Sequence, residues 1–153
     1  MIQVDRRVVR APLEAMFALA ADVERWPERL SHYRWVRFHE RRPDGGVVEM
    51  AAWRPFGPLR WPTWWVSEMA LEEAPPAVRY RHVRGLTRGM EVRWDFARRE
   101  GGVEVTITHR WEGPRWPLLR RPAAELVIGP LFIHHIAQRT LAGLGAAAEG
   151  GGT

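Results

Sequence analysis

Between Tyr33 and Trp111 the hydrophobic pattern repeats every second residue, in six blocks separated by turn signals. A period of two sends alternate side chains to opposite faces of a strand, so each block has one face to bury. Tyr33 to Arg42 and Val47 to Arg54 flank Pro43-Asp44-Gly45-Gly46, a hairpin signal. Arg60 to Glu73 ends at Ala74-Pro75-Pro76, and Val78 to Arg84 and Met90 to Arg99 follow. Glu100-Gly101-Gly102 then turns the chain into Val103 to Trp111. Six strands in succession predict one strongly curved antiparallel sheet.

The flanks supply helices. Ile2 to Arg10 reads as a strand, with Ile2, Val4 and Val8 at even spacing. Leu13 to Ala21 reads as a helix with Leu13, Met16, Phe17 and Ala20 on one face, and Asp22 is placed to cap a second short helix through Trp26 to Leu30. After the strands, about Pro117 to Ala148 is helical, with Leu126, Val127, Ile133, Ala137, Leu141 and Leu144 at helical spacing. Gly129-Pro130 should split or kink this helix and put Pro130 in a first turn. The expected fold class is α+β: a curved antiparallel sheet gripping a long C-terminal helix, with a cavity between them.

Composition narrows the function. At 153 residues the chain is expected to form one domain over residues 1–148, with 149–153 as a flexible tail and Ala146 onward frayed. It has no cysteine, which excludes disulfides, a cysteine nucleophile and thiolate metal sites. No apolar run reaches the roughly 20 residues of a transmembrane helix, and Met1 to Arg10 does not read as a signal peptide, so a cytoplasmic location is expected. The formal charge is +5, and all 23 basic residues are arginine. They are scattered in short pairs, with no basic helix, so no nucleic-acid or charge-driven membrane partner is expected. The nine tryptophans are the more informative excess, because indole suits pockets for flat apolar ligands.

Alternation names the inward residues. Val48, Met50 and Ala52 share a face, as do Trp65, Ser67, Met69 and Leu71 on the following strand. Val78, Tyr80 and His82 oppose Arg79 and Arg81. Met90, Val92, Trp94 and Phe96 oppose Glu91, Arg93 and Asp95, and Val105, Ile107, His109 and Trp111 complete the set. This concave face is rich in Trp and Met, which fit irregular volumes, and it holds a few polar groups, Ser67, Tyr80, His82 and His109. It predicts a cavity of about 300 Å³ or more for an apolar molecule. Trp26, ahead of Pro27, either stands at the cavity entrance or plugs the core. His134 and His135 are adjacent on a helix and point about 100° apart, so no metal site is expected; nor does any motif require a cofactor.

The opening Val9-Arg10-Ala11-Pro12-Leu13-Glu14-Ala15-Met16-Phe17, followed by Asp22-Val23-Glu24-Arg25-Trp26-Pro27-Glu28 and Leu30-Ser31-His32-Tyr33, resembles the START-like (SRPBCC) superfamily with the helix-grip fold. Within it the chain is most similar to the polyketide cyclase/dehydrase and coenzyme-Q-binding-like branch. Trp65-Val66-Ser67 and Met90 to Trp94 resemble aromatic polyketide aromatase/cyclases. The resemblance implies a hydrophobic small-molecule ligand: a lipid, a quinone or a polyketide-like aromatic. It also implies a tyrosine after the second helix, here Tyr33, a polar pocket group near His82, and an arginine two residues beyond the serine. That last position is Met69, which carries neither charge nor donor. The lead expectation is therefore a binding module walled by Trp26, Tyr33, Met50, Trp65, Ser67, Met69, Tyr80, His82, Met90, Trp94, Ile107 and His109. The alternative is a cyclase/aromatase-type enzyme in which Tyr33, His82 or His109 does the acid–base work. Ligand identity and oligomeric state stay open.

Overall fold

The computed structural model of the chain describes residues 1–56, 58–113 and 130–151. The order is β1 (Ile2–Val9), α1 (Leu13–Ala21), a 3-10 turn (Val23–Arg25), α2 (Trp26–Arg29), β2 (Tyr33–Arg42), β3 (Gly45–Phe56), β4 (Leu59–Glu73), β5 (Pro76–Gly85), β6 (Glu91–Arg99), β7 (Gly102–Arg110) and α3 (Pro130–Gly150). The strands form one seven-stranded sheet in the order β1-β7-β6-β5-β4-β3-β2, antiparallel throughout. The meander runs from β2 to β7, and β1 closes onto β7. This is the α+β arrangement of curved antiparallel sheet and C-terminal helix anticipated from the periodicity, and it matches the helix-grip fold that the resemblance implies.

The β2–β3 turn shows why the hairpin needs its glycines. Gly45 has φ +139°, and a Cβ there would stand 2.0 Å from the Met69 carbonyl oxygen of β4. Only glycine lets the two backbones approach so closely. Asp22 directly precedes the 3-10 turn, but its side chain makes no capping hydrogen bond; it faces Arg25 at 3.6 Å instead.

The inner faces of β3 to β7 are as alternation predicts, with Val48, Met50, Met69, Val78, Tyr80, Trp94, Phe96, Val105 and Ile107 all buried. The outer face carries charged rungs, including Arg79–Glu72 at 3.0 Å and Arg93–Asp95 at 2.8 Å. β1 keeps the period of two with the opposite phase. Ile2, Val4 and Val8 are exposed, whereas Asp5 and Val9 are buried. Spacing alone does not set phase; here pairing with β7 and contact with α3 set it, and Gln138 of α3 reaches Asp5 Oδ1 at 3.1 Å.

α3 covers the concave face through Ile133, Ala137, Thr140, Leu141, Leu144 and Ala148. It packs closely against the end of α2: a Cβ at Gly143 would lie 2.2 Å from Leu30 Cδ2. The helix continues to Gly150, past the point where a frayed tail was expected. Ala148 is buried, and Glu149 Oε1 accepts the Arg10 amide at 2.9 Å. Alanine is the best helix former, and this contact anchors the last turn. The described helix starts at Pro130; the expected break at Gly129, with Leu126 and Val127, lies outside the described residues.

Candidate functional site

A cavity of about 100 Å³ lies between the sheet and α3. Its walls come from distant parts of the chain: Trp26 from α2, Tyr33 from β2, Met50 from β3, Trp65 from β4, Tyr80 and His82 from β5. Met90, Val92 and Trp94, then Ile107 and His109, supply the next wall, and Ile133, Ile136, Ala137 and Thr140 of α3 form the roof. Thr63, Trp64, Leu86 and Thr87 border the end where Trp64 and Leu86 are exposed, which makes this end the mouth.

The volume is about a third of the one expected, and the rings explain why. Trp26 meets Tyr33 edge-on at 5.2 Å and Trp94 at 5.6 Å, and Tyr33 meets Trp65 at 6.3 Å. Large side chains that fit one another leave less space than their strand positions imply. Trp26 is 2% exposed and donates to the Leu19 carbonyl at 3.1 Å, so it forms an inner wall rather than an entrance.

The polar groups on this lining are held neutral. His82 stacks on Trp65 at 5.6 Å with planes 10° apart, and its Nδ1 lies 2.7 Å from Thr87 Oγ1. Burial, with a smaller push from His109, lowers its pKa to about 3. Burial lowers His109 to about 4 against a weaker opposing pull from Asp5. Removal from water drives the Tyr33 and Tyr80 hydroxyls well above the ordinary tyrosine range. The site therefore holds no net charge near neutral pH.

Several of these groups are also unpartnered. Tyr80 pairs with Val92, which pairs with His109, so the tyrosine and histidine flank a valine in one row across three strands. Tyr80 OH and His109 Nδ1 are buried and have no hydrogen-bond partner among the described residues. A buried polar atom without a partner costs about 1–3 kcal/mol, so such atoms need an explanation. Three neighbouring groups are better served. Thr140 Oγ1 donates to the Ile136 carbonyl at 2.8 Å and sits 3.0 Å from His32 Nε2, and it also meets the Tyr33 hydroxyl.

A family model described as polyketide cyclase / dehydrase and lipid transport matches residues 9–129. The chain belongs to this family. No curated protein matches it by sequence. Among solved structures, this family member is similar to TTHA0849 of Thermus thermophilus, with 19% identity over all of both chains and a TM-score of 0.83. It is similar to the Zhui aromatase/cyclase of Streptomyces sp. R1128, with 16% identity over 97% of this chain and 93% of that one and a TM-score of 0.81. It is also similar to the major latex-like protein 151 of Panax ginseng, with 11% identity, 97% of each chain covered and a TM-score of 0.79. At such identities these likenesses establish the helix-grip fold. The family's description covers both chemistry on polyketides and transport of lipids, so hydrophobic small molecules are common to its members' roles.

Ten of the twelve residues read as a site line the family member's cavity; Ser67 and Met69 do not. Both are buried on the same inner face, Ser67 fully and without a partner for its hydroxyl. Met69 lies opposite Gly46 and Tyr80, packed in the core rather than at the cavity wall. Sequence reading missed Thr87, Thr140 and His32. Thr87 was hidden because turn geometry, not alternation, brings it onto His82: the His82 amide bonds to Met90 O at 2.9 Å, and the Gly89 amide bonds back to His82 O at 2.8 Å. Asp5 was hidden by the inverted phase of β1. Among the described residues no group of three or more potential metal ligands occurs.

Proposed function

We propose that the chain binds a small, uncharged, mostly apolar molecule in the cavity between the sheet and α3. The observation that carries this reading is a lining of indole, phenol and aliphatic groups in which every titratable side chain is held neutral. A charged ligand would lose its hydration without gaining a partner there. A neutral one with one or two oxygen atoms could complete Tyr80 OH and His109 Nδ1. The cavity of about 100 Å³ holds roughly one ring, and a longer lipid, quinone or polyketide-like aromatic would have to move the Trp65–His82 stack. In a broad panel of apolar compounds, aromatic ones should quench tryptophan fluorescence and raise the melting temperature, and Trp94→Ala should weaken both responses. A panel without any response would remove the main support for this reading.

The aromatase/cyclase among the structural neighbours keeps an enzymatic reading open as the alternative. Ring closure of a poly-ketone needs a donor where negative charge develops on oxygen and a base for a carbon-bound proton. Tyr33, His82 and His109 are the candidates. At pKa values of about 3 and 4 the two imidazoles are weak bases and are not charged donors at neutral pH. Loss of a donor of this kind costs about 10²–10³ in rate, which makes binding the better-supported reading. Robust cyclisation of a poly-ketone by the unmodified protein, abolished in His82→Ala, would reverse that order.

A further inference from the structure

The β3–β4 hairpin is longer than its neighbours can cover. β2 pairs with β3 only as far as Tyr33 opposite Ala52, and β5 pairs with β4 only as far as Gly85 opposite Trp65. Beyond those rungs the Trp53 amide still donates to the His32 carbonyl at 2.7 Å, and residues 54–56 and 59–61 pair only with each other, through Arg54–Trp61, Pro55–Arg60 and Phe56–Leu59. The result is a two-stranded arm projecting from the sheet beside the cavity mouth. A two-stranded ribbon is marginal by itself, and a soluble protein would ordinarily cover such an arm with polar side chains.

This arm does the opposite. Leu59 and Trp61 are each 64% exposed, Trp64 at its base is 46% exposed, and Leu86 on the adjoining β5–β6 turn is 54% exposed. Large apolar side chains set along one arm and at its base, rather than scattered singly, mark an interaction surface. Charge points the same way. Residues 50–67 and 82–90, which make the arm, its base and the adjoining turn, hold four arginines and no Asp or Glu. Arg60 on the arm, Arg84 near the end of β5 opposite Val66, and Arg88 on the turn are exposed. Arg60 lies 5.0 Å over the Trp53 ring, and Arg34 lies 4.5 Å from the same ring on the arm's flank. Arg34, Arg60, Arg84 and Arg88, far apart in the chain, thus stand on the arm, its flank or the strand and turn beside its base.

We propose that the β3–β4 arm and the β5–β6 turn dock on the surface of an anionic lipid bilayer, with Leu59, Trp61 and Leu86 entering the headgroup–acyl boundary and Arg60, Arg84 and Arg88 meeting lipid phosphates. Tryptophan is at home at that depth, with its ring apolar and its N–H wet, and arginine is drawn to an anionic leaflet. An acidic protein fits less well, because a specific protein interface buries about 800 Å² on each side, and a narrow two-stranded tip offers a wedge rather than such a face. The proposal goes beyond ligand binding and does not depend on it: docking is a property of the empty protein, although it would bring the mouth, bordered by Trp64 and Leu86, against a pool of apolar molecules.

The test is co-sedimentation of the full chain with phosphatidylcholine vesicles, with and without phosphatidylglycerol. Binding is expected to the anionic vesicles, to weaken with added salt, and to be slight on phosphatidylcholine alone. Trp61→Ser and Leu59→Ser should each weaken it about tenfold, from the apolar area withdrawn. Arg60→Glu should weaken it at least about fivefold, the worth of about 1 kcal/mol per arginine near an anionic surface. Val8→Ser, at an exposed apolar residue on β1, should leave it unchanged. All four positions are exposed, and the melting temperature of each variant checks that it folds. No binding to anionic vesicles, binding that survives both Trp61→Ser and Leu59→Ser, or selective capture of an acidic carrier protein in place of vesicles would overturn the proposal.

Discussion

The space between sheet and α3 is built in two ways along its length. Toward the C-terminal end of the helix, Leu141 and Leu144 share one buried cluster with Val9, Val103, Val105 and Met16, all essentially inaccessible to solvent. These are aliphatic or thioether side chains with no polar atom to satisfy. Toward the helix N-terminus the same layers enclose Trp26, Tyr33, Trp65, Tyr80, His82, Trp94 and His109, around a void and with unpartnered polar atoms. One end is packed to hold the fold together, and the other gives up packing and hydrogen bonds. Real proteins break the packing rules where they function, and stabilise themselves elsewhere.

The largest expected effect tests the packed end. Leu144→Ala, at a fully buried residue that does not line the cavity, should cost about 2–5 kcal/mol of stability. Urea unfolding would show it, and ligand binding should survive in whatever fraction stays folded. A cost under about 1 kcal/mol would mean that the two ends do not differ in the way described.

Comparable in size is a pH effect confined to the cavity end. His82, His109 and His32 have folded pKa values of about 3, 4 and 4, each set first by burial; Arg139 and His135 add smaller repulsions at His32. A histidine ordinarily titrates near about 6.5, so between that value and the folded pKa the unfolded chain binds the extra protons. Stability is therefore full above about pH 6.5 and falls as pH drops through that window, by up to about 1.4 kcal/mol per pH unit for each histidine. The paired glutamates, Glu14, Glu49 and Glu72, are held below the ordinary carboxylate range, so the loss between about pH 6.5 and 5 is the histidines' own. Thermal melts across that interval should show it, and His82→Leu should flatten the slope. A flat profile in the unmodified protein would mean that these imidazoles are hydrated.

A smaller effect carries the opposite sign. Tyr80→Phe removes a buried hydroxyl that has no partner and should raise stability by about 1 kcal/mol. Ser67→Ala should do the same, since Ser67 is fully buried and also unpartnered. Tyr80→Phe should weaken binding of an oxygen-bearing ligand, whereas Ser67→Ala, off the cavity wall, should not. If both variants were destabilised, each hydroxyl would have a partner after all.

The alternation that made the fold legible also limited the reading of the site. Seven strands with one buried face each could be recognised because a period of two leaves few other solutions, and the inward residues of β3 to β7 followed directly. The phase of β1 could not, because Asp5 is buried by what α3 brings to it from more than 120 residues away. Trp26 and Tyr33 could be named, but their ring contacts, which shrink the cavity, depend on side-chain packing that spacing does not encode. Ser67 and Met69 show the same limit from the other side: sharing a face with the site residues did not bring them to its wall. The arginines seemed scattered because one dimension separates Arg60 from Arg84 and Arg88, whereas the β4–β5 pairing puts Arg84 and the turn after it at the base of the arm that carries Arg60.

The central claim is that the void beneath the first half of α3 receives a small apolar molecule. Ala137 is 3% exposed and lines that void from the helix, so Ala137→Leu should fill it without disturbing the packed end. The decisive measurement is a fluorescence titration with small aromatic ligands on the unmodified protein and on Ala137→Leu, with melting temperatures recorded for both. Saturable quenching in the unmodified protein, lost in a variant that melts no lower, is the predicted result. Equal quenching in both proteins would place the ligand elsewhere and contradict the account.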